Sequence, residues 1–305
     1  MAFLLKFFDA KQLGTSTDLI DLIRDSRKKP KIQTEIENGM KNKTVYTLLF
    51  VLCIVGFWAF ENFYTPDTYS EPVADSAENF VQSSLLPEST TAEVVAHNYY
   101  SLSYNEPYEQ AEWVAYALKQ SHLTYDNRKR PYFIEDPKVK TKSADWRNYR
   151  GSGYDRGHLC PAGDRRFSEQ AYNETFYTSN ISPQNREFNA GIWNRLEQQI
   201  RQWCKKYGNL TIIVGGVLEN GLEEIGIEDV DVPKRFFKLV VKKNKESWNV
   251  LAFVIPNQES SKPLHHFLVS VDEVERITGI DFFEKMPQSW QKEHETAVNK
   301  KDWKF

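Results

Sequence analysis

Between Tyr154 and Glu197 the chain reads YDRGHLCPAGDRRFSEQAYNETFYTSNISPQNREFNAGIWNRLE, which gathers Arg156, His158, Asn180, Asn189 and Glu197 among glycines, prolines and aromatics. That is not the composition of a solvated loop. An imidazole titrates near neutrality, so His158 can take a proton from water and activate it for attack. Hydrolysis of a phosphodiester also requires that charge building on the phosphoryl oxygens be neutralised, by an arginine such as Arg156 or by a bound metal. Mg2+ keeps most of its waters and takes further ligands from substrate phosphate, so one amide oxygen, that of Asn189, is enough to seat it. Glu197 follows eight residues later on what the spacing predicts to be a single helix. That keeps it on the same broad face, where it can hold a metal-bound water or orient an amide. Taken singly, each of these residues is more often structural than catalytic. The spacing alone leaves nuclease chemistry as one reading among several.

The surrounding motifs narrow the choice. Tyr154-Asp155-Arg156-Gly157-His158, then Ser179-Asn180-Ile181-Ser182-Pro183-Gln184, then Phe188-Asn189-x-Gly191-x-Trp193-x-x-Leu196-Glu197 resemble the DNA/RNA non-specific endonucleases of the ββα-metal class. That family includes the secreted bacterial sugar-non-specific nucleases and mitochondrial endonuclease G. The similarity runs, by order of elements, from about Tyr99 to Phe283. It takes in Pro233-x-x-Phe236-Phe237-Lys238 and Val271-Asp272-Glu273-Val274-Glu275-x-x-Thr278-Gly279 as supporting segments. The resemblance implies that His158 is the general base and that Asn189 is the one direct protein ligand of Mg2+, for which Mn2+ substitutes. It implies that Arg156 contacts phosphate, and that Asn180 and Glu197 complete a hydrogen-bonded shell around metal and His158. It further implies DNA and RNA as substrates, products ending in a 5′-phosphate, and a homodimer as an admissible assembly. A second family arginine precedes a Phe-x-x-Asp segment, matched here by Phe133-Ile134-Glu135-Asp136. Of Arg128, Lys129 and Arg130, the choice for this catalytic and substrate-binding role falls on Arg130. Cys160 stands where the family has a small residue and is expected to pack.

The elements that must hold these residues can be read from periodicity. Glu187 to Tyr207 has the spacing of one long amphipathic helix, through Phe188, Ile192, Leu196, Ile200 and Trp203, stopped by Gly208 and Asn209. Thr211–Leu218, Phe236–Val241 and Trp248–Ile255 read as strands, with Gly215-Gly216 marking a bulge. Asp272 to Thr278 reads as a short helix capped by Ser270 or Asp272 and ended by Gly279. Glu109 to Leu123 is ambiguous. Its Ala, Glu and Gln content favours a helix, while the alternation of Val114, Tyr116 and Leu118 suits a strand, which the resemblance prefers. Strands and helices without a regular βαβ rhythm predict an α+β fold, and the resemblance implies a mixed or antiparallel central sheet with the ββα-metal motif.

The net charge of −3 hides a division along the chain. Residues 61–118 hold ten acids and no Lys or Arg, whereas 119–305 carry a net charge of +4, which suits a polyanionic partner. Three cysteines, Cys53, Cys160 and Cys204, are too few for a disulfide framework or a zinc site, and a Cys160–Cys204 bridge stays open. Thr44 to Phe60 is the longest uncharged apolar run, with lysines before it and only acids after it. These features predict a single transmembrane helix over 44–60 in contact with a lipid bilayer. They also predict a cytoplasmic segment over 1–43, with amphipathic pieces around Leu4 to Phe8 and Leu19 to Ile23, and an acidic linker over 61–92. The endonuclease domain, 93–305, is then expected to be extracytoplasmic, periplasmic or extracellular. The competing reading is a membrane-tethered nucleic-acid-binding or uptake protein on a catalytically weak nuclease scaffold. The presence of His158, Asn189 and Glu197 together argues against it.

Overall fold

The computed structural model describes residues 29–64, 69, 81–243 and 248–305. The chain forms two compact units, Met1–Tyr64 and Thr65–Phe305. In the first unit, helix α1 spans Lys29–Phe63. Within it Asn42–Phe60 is long and apolar enough to cross a membrane, by length and composition, and none of that stretch is buried. Pro30 sits in the first turn of α1, where a missing N–H costs nothing. The amphipathic pieces expected before it lie outside the described residues.

The second unit is built on a seven-stranded sheet. Its strands are β1 (Val94–Ala96), β2 (Ser101–Asn105), β3 (Gln110–Leu118), β6 (Leu210–Gly216), β9 (Arg235–Lys243), β10 (Trp248–Pro256) and β11 (Leu268–Val269), in that spatial order. Every neighbouring pair is antiparallel. The run around Val114 is therefore a strand. Its helix propensity is overridden because both faces of the sheet are buried, and alternation assigns one set of side chains to each face. Val114, Tyr116 and Leu118 join Ile212, Val240 and Phe253 in a core that also holds Leu196, Ile200 and Trp203. Trp113 and Ala115 face the other way, with Ile213, Leu239, Val271, Val274 and Phe282. Leu196, Ile200 and Trp203 belong to helix α4 (Asn194–Tyr207), and Val271 and Val274 to helix α5 (Val271–Thr278). The sheet is thus sandwiched between the two helices. Helix α5 is capped by the Ser270 side chain, which accepts from the Glu273 N–H, and it ends at Gly279 with φ 72°.

Several expectations change. Gly215 and Gly216 pair in unbroken register with Phe237 and Phe236, so they form no bulge. A Cβ on Gly215 would strike the Glu112 carbonyl and the Phe237 ring, so close approach of backbone is what the position requires. The acidic segment 61–92 is not a linker throughout. Val81 and Leu85 are buried in the second core, the Trp113 indole donates to the Glu88 carbonyl at 2.7 Å, and the Thr90 N–H donates to Glu112 at 2.9 Å. Residues 65–68 and 70–80 lie outside the described residues. All three cysteines are free thiols.

Strands β7 (Glu223–Ile225) and β8 (Val230–Val232) form a small antiparallel pair, and the short helices α2 (Glu169–Glu174) and α3 (Arg186–Phe188) precede α4. A separate two-stranded hairpin carries the motif residues. Strand β4 (Asp155–His158) pairs antiparallel with β5 (Ile181–Gln184), setting His158 opposite Ile181 and Arg156 opposite Pro183. Beyond β5 the Asn185 side chain accepts from the N–H groups of Glu187 and Phe188 and starts a short helix at Arg186. The single long helix expected from Glu187 does not form. Asn189–Trp193 is a π-turn with Gly191 at φ −97°, ψ −105°, and regular α-helix resumes only at Asn194.

Candidate active site

The His158 strand is clamped from both sides. The Leu159 N–H donates to the Asn180 carbonyl at 2.9 Å. The Asn180 side chain accepts from the Cys160 N–H at 2.8 Å and donates to the carbonyls of Cys160 and Thr175 at 3.0 and 2.9 Å. Asn180 is fully buried and its amide is consumed by backbone. It is not part of a shell around His158 and a metal, as expected above; it holds the turn that follows His158. Gly157 is needed because a Cβ there would collide with the buried Gln184 side chain of the facing strand.

Phe133 and Phe176 wall the imidazole, with ring centroids 5.7 and 4.9 Å from that of His158. The segment bearing Phe133 is docked by two backbone bonds, Ile134 N–H to the Phe176 carbonyl at 3.3 Å and Thr178 N–H to the Ile134 carbonyl at 2.9 Å. Asp136 anchors its far end, accepting from Ser179 and pairing with His97 Nε2 at 2.7 Å. His158 as a residue is half-buried, and its Nε2 is enclosed without a hydrogen-bond partner among the described residues. Burial, reinforced by Arg130 and Arg156, pushes its pKa down to about 3. The ring is neutral at pH 7.

The two arginines converge on the same aromatic wall. The Arg156 guanidinium lies 4.7 Å from the Phe133 centroid and 5.4 Å from that of Trp146. That of Arg130 lies 5.3 Å from Phe133 and 5.7 Å from Phe176. Burial and then Arg130 lower the Arg156 pKa, which records two close like charges. Arg128 turns away, donating to the Arg166 carbonyl and pairing with Asp126. The geometry therefore brings Arg130, and not Arg128, to His158.

Asn189 Nδ2 donates to the Asp155 carboxylate at 3.1 Å, which turns the amide so that its oxygen is the group left for a ligand. An oriented amide oxygen beside a neutral imidazole fits a hard divalent ion with a nearby base. Glu197 departs from expectation. Its carboxylate accepts from Arg201 at 3.4 Å and lies 3.8 Å from the fully buried Lys238 ammonium, and Arg201 goes on to Asp164 at 2.6 Å. Burial raises the Glu197 pKa, opposed by Lys238 and Arg201. The π-turn at Gly191 breaks the helical phase that linked Glu197 to Asn189 in the sequence. Sequence reasoning missed Asp155 as the group that orients Asn189, although it stands within the motif. It also missed Lys238, whose role depends on β9 packing against α4, and Arg201, an i,i+4 partner of Glu197 on the same helix that spacing could have found.

A β-hairpin followed by a helix, presenting a histidine, an amide oxygen and two arginines, defines a ββα-metal hydrolase site. The family profile of the DNA/RNA non-specific endonucleases matches residues 79–289, and the chain belongs to that family. It is 38% identical over 215 residues to a zebrafish (Danio rerio) mitochondrial nuclease EXOG, covering 65% of this chain and 62% of that protein. To mitochondrial nuclease 1 of Schizosaccharomyces pombe it is 33% identical, covering 68% and 71%. Among solved structures it matches an endonuclease G in complex with an inhibitor (EndoG/EndoGI), with 31% identity and a TM-score of 0.61, covering 65% of this chain and 88% of that one. These relatives overturn the placement drawn from the charge asymmetry. They are named as mitochondrial nucleases, which does not fit a periplasmic or extracellular placement. The positive-inside rule orders the flanks of a span relative to one membrane and is silent about which membrane that is.

Proposed function

We propose that this protein hydrolyses phosphodiester bonds in DNA and RNA without sequence specificity, leaving 5′-phosphate and 3′-hydroxyl ends. The observation that carries this reading is the convergence of two arginines on the wall of a neutral histidine. Among the described residues neither guanidinium of Arg130 and Arg156 has an ion pair or hydrogen bond, so both positive charges stand ready for phosphate. His158 accepts the proton of the attacking water, a role that requires the unprotonated ring its surroundings enforce. Asn189, oriented by Asp155, would hold Mg2+ or Mn2+, which supplies Lewis-acid compensation of charge at the scissile phosphate. Asn180 keeps the His158 turn in place, and Lys238 with Arg201 fixes Glu197 beneath the helix. The positive balance of 119–305 favours a polyanion of either sugar.

Digestion of supercoiled plasmid and of RNA by the purified protein tests this directly. Cleavage should need Mg2+ or Mn2+, stop in EDTA and return when the metal is restored. His158→Ala should lower the rate by about 10²–10⁴-fold while DNA binding persists. Near wild-type nicking by that variant would exclude His158 as the base. Contact of residues 44–60 with a bilayer is supported by the exposed apolar stretch Asn42–Phe60. It predicts retention in the membrane fraction after alkaline carbonate washing.

A further inference from the structure

On the sheet face opposite α4, three carboxylates meet without a cation. Asp272 and Glu275 lie one turn apart on α5, and Glu295 follows helix α6 (Gln288–His294). One oxygen from each lies within 4.8 Å of the other two. The backbone enforces the meeting, because the Asp272 N–H donates to the Glu295 carbonyl at 3.2 Å. Glu275 Oε1 accepts from the Phe282 N–H at 3.0 Å, which fixes that side chain.

Clustering alone would mean little, since exposed acids often gather. Glu295 differs. It is only 8% exposed, and its Oε1 is enclosed with no hydrogen-bond donor among the described residues. A buried carboxylate oxygen left bare is costly, and like charges at this separation resist joint ionisation. The charged side chains that bear on Glu275 and Glu295 are acids, namely Asp272, Asp281 and each other. Elsewhere on α5 the fold does supply a partner, since Glu273 takes Arg276 at 2.6 Å. The chain could have done the same here and did not.

We propose that Asp272, Glu275 and Glu295 form a second cation site, for a hard divalent ion of the Ca2+ type, which fastens the segment after α6 onto α5. Three carboxylates, with Asp272 open to solvent, leave room for several waters. That suits the high and flexible oxygen coordination of Ca2+ better than the strict octahedron of Mg2+. Helix α5 packs on the sheet face of Trp113 and Ile213, whereas Leu159 and Phe188, the chain neighbours of His158 and Asn189, pack on the other, so the role is structural and independent of the cleavage chemistry.

The test uses the full chain carrying Asn189→Ala, which silences the amide assigned to the catalytic ion. After EDTA treatment, thermal unfolding is followed against CaCl2, and bound calcium is counted by equilibrium dialysis. One ion per chain is expected, with Tm rising by about 3–5 °C at tenfold excess over Kd. Glu295→Gln should remove both effects and, in EDTA, should melt no lower than its parent because it relieves like-charge crowding. Asp272→Asn, at an exposed position, makes the same comparison should Glu295→Gln fail to fold. Both variants, made with Asn189 intact, should cleave DNA at the wild-type rate. A parent whose Tm ignores millimolar Ca2+, or a calcium response that survives Asp272→Asn, overturns the site and leaves the three acids sharing protons instead.

Discussion

His158 stands where burial and two guanidiniums oppose its protonation, and that has a consequence for stability as well as for chemistry. In the unfolded chain a histidine titrates near 6.5, whereas in the fold it takes a proton only at about 3. Between those values the unfolded state binds a proton that the folded state refuses, so stability falls as pH drops from 6.5 toward 3. His158→Gln removes that titration. Between pH 7 and pH 5 the variant should lose about 2 kcal/mol less than wild type, read from urea denaturation at each pH. The acid limb of kcat/KM should likewise lie well below 6.5. A second prediction concerns Asp155. Asp155→Ala leaves the Asn189 amide free to turn, so the Mg2+ concentration for half-maximal cleavage should rise by about 10–100-fold. Asp155→Asn keeps an acceptor oxygen and should restore most of it. A loss of rate at unchanged Mg2+ dependence would show that Asp155 acts otherwise.

The hairpin and the π-turn decide what the motif residues can reach. Gly157 lies against Gln184, and its replacement by alanine would force that buried side chain or the strand to move. Gly157→Ala should cost about 1–3 kcal/mol, measurable as a lowered urea midpoint at unchanged m-value. Activity should fall with it, because β4 carries both Arg156 and His158. The π-turn has the opposite character. It inserts a break between Asn189 and α4, so the amide oxygen is aimed by the bond to Asp155 while Glu197 is held by Arg201 and Lys238.

At the scale of the whole molecule, the domain begins earlier than its motifs imply. A fragment starting at residue 79 retains Val81, Leu85 and the bonds from Trp113 and Thr90, whereas one starting at 93 loses all of them. It also takes both Thr90 donors from the buried Glu112 carboxylate, leaving it Ser103. The shorter fragment should be less stable by about 3–5 kcal/mol, seen as a lower Tm in calorimetry. Equal melting of the two would mean that 79–92 only drape the surface.

Local periodicity and turn residues are enough to place the ends of α5 and the three strands after α4, whereas the roles expected of His158 and Asn189 come from the resemblance of their motifs to a family and not from spacing. The sequence alone could not choose between helix and strand at Val114. Propensity is a weak local preference, and the choice was made by two buried sheet faces that only distant residues create. Nor could it foresee that Asn180 spends its amide on backbone, or that Lys238 claims Glu197. Those partners are separated in the chain and meet only when β4, β9 and α4 pack. Hydrogen-bond capacity is finite, and which partner uses it is settled by distance in space, which the order of residues does not contain.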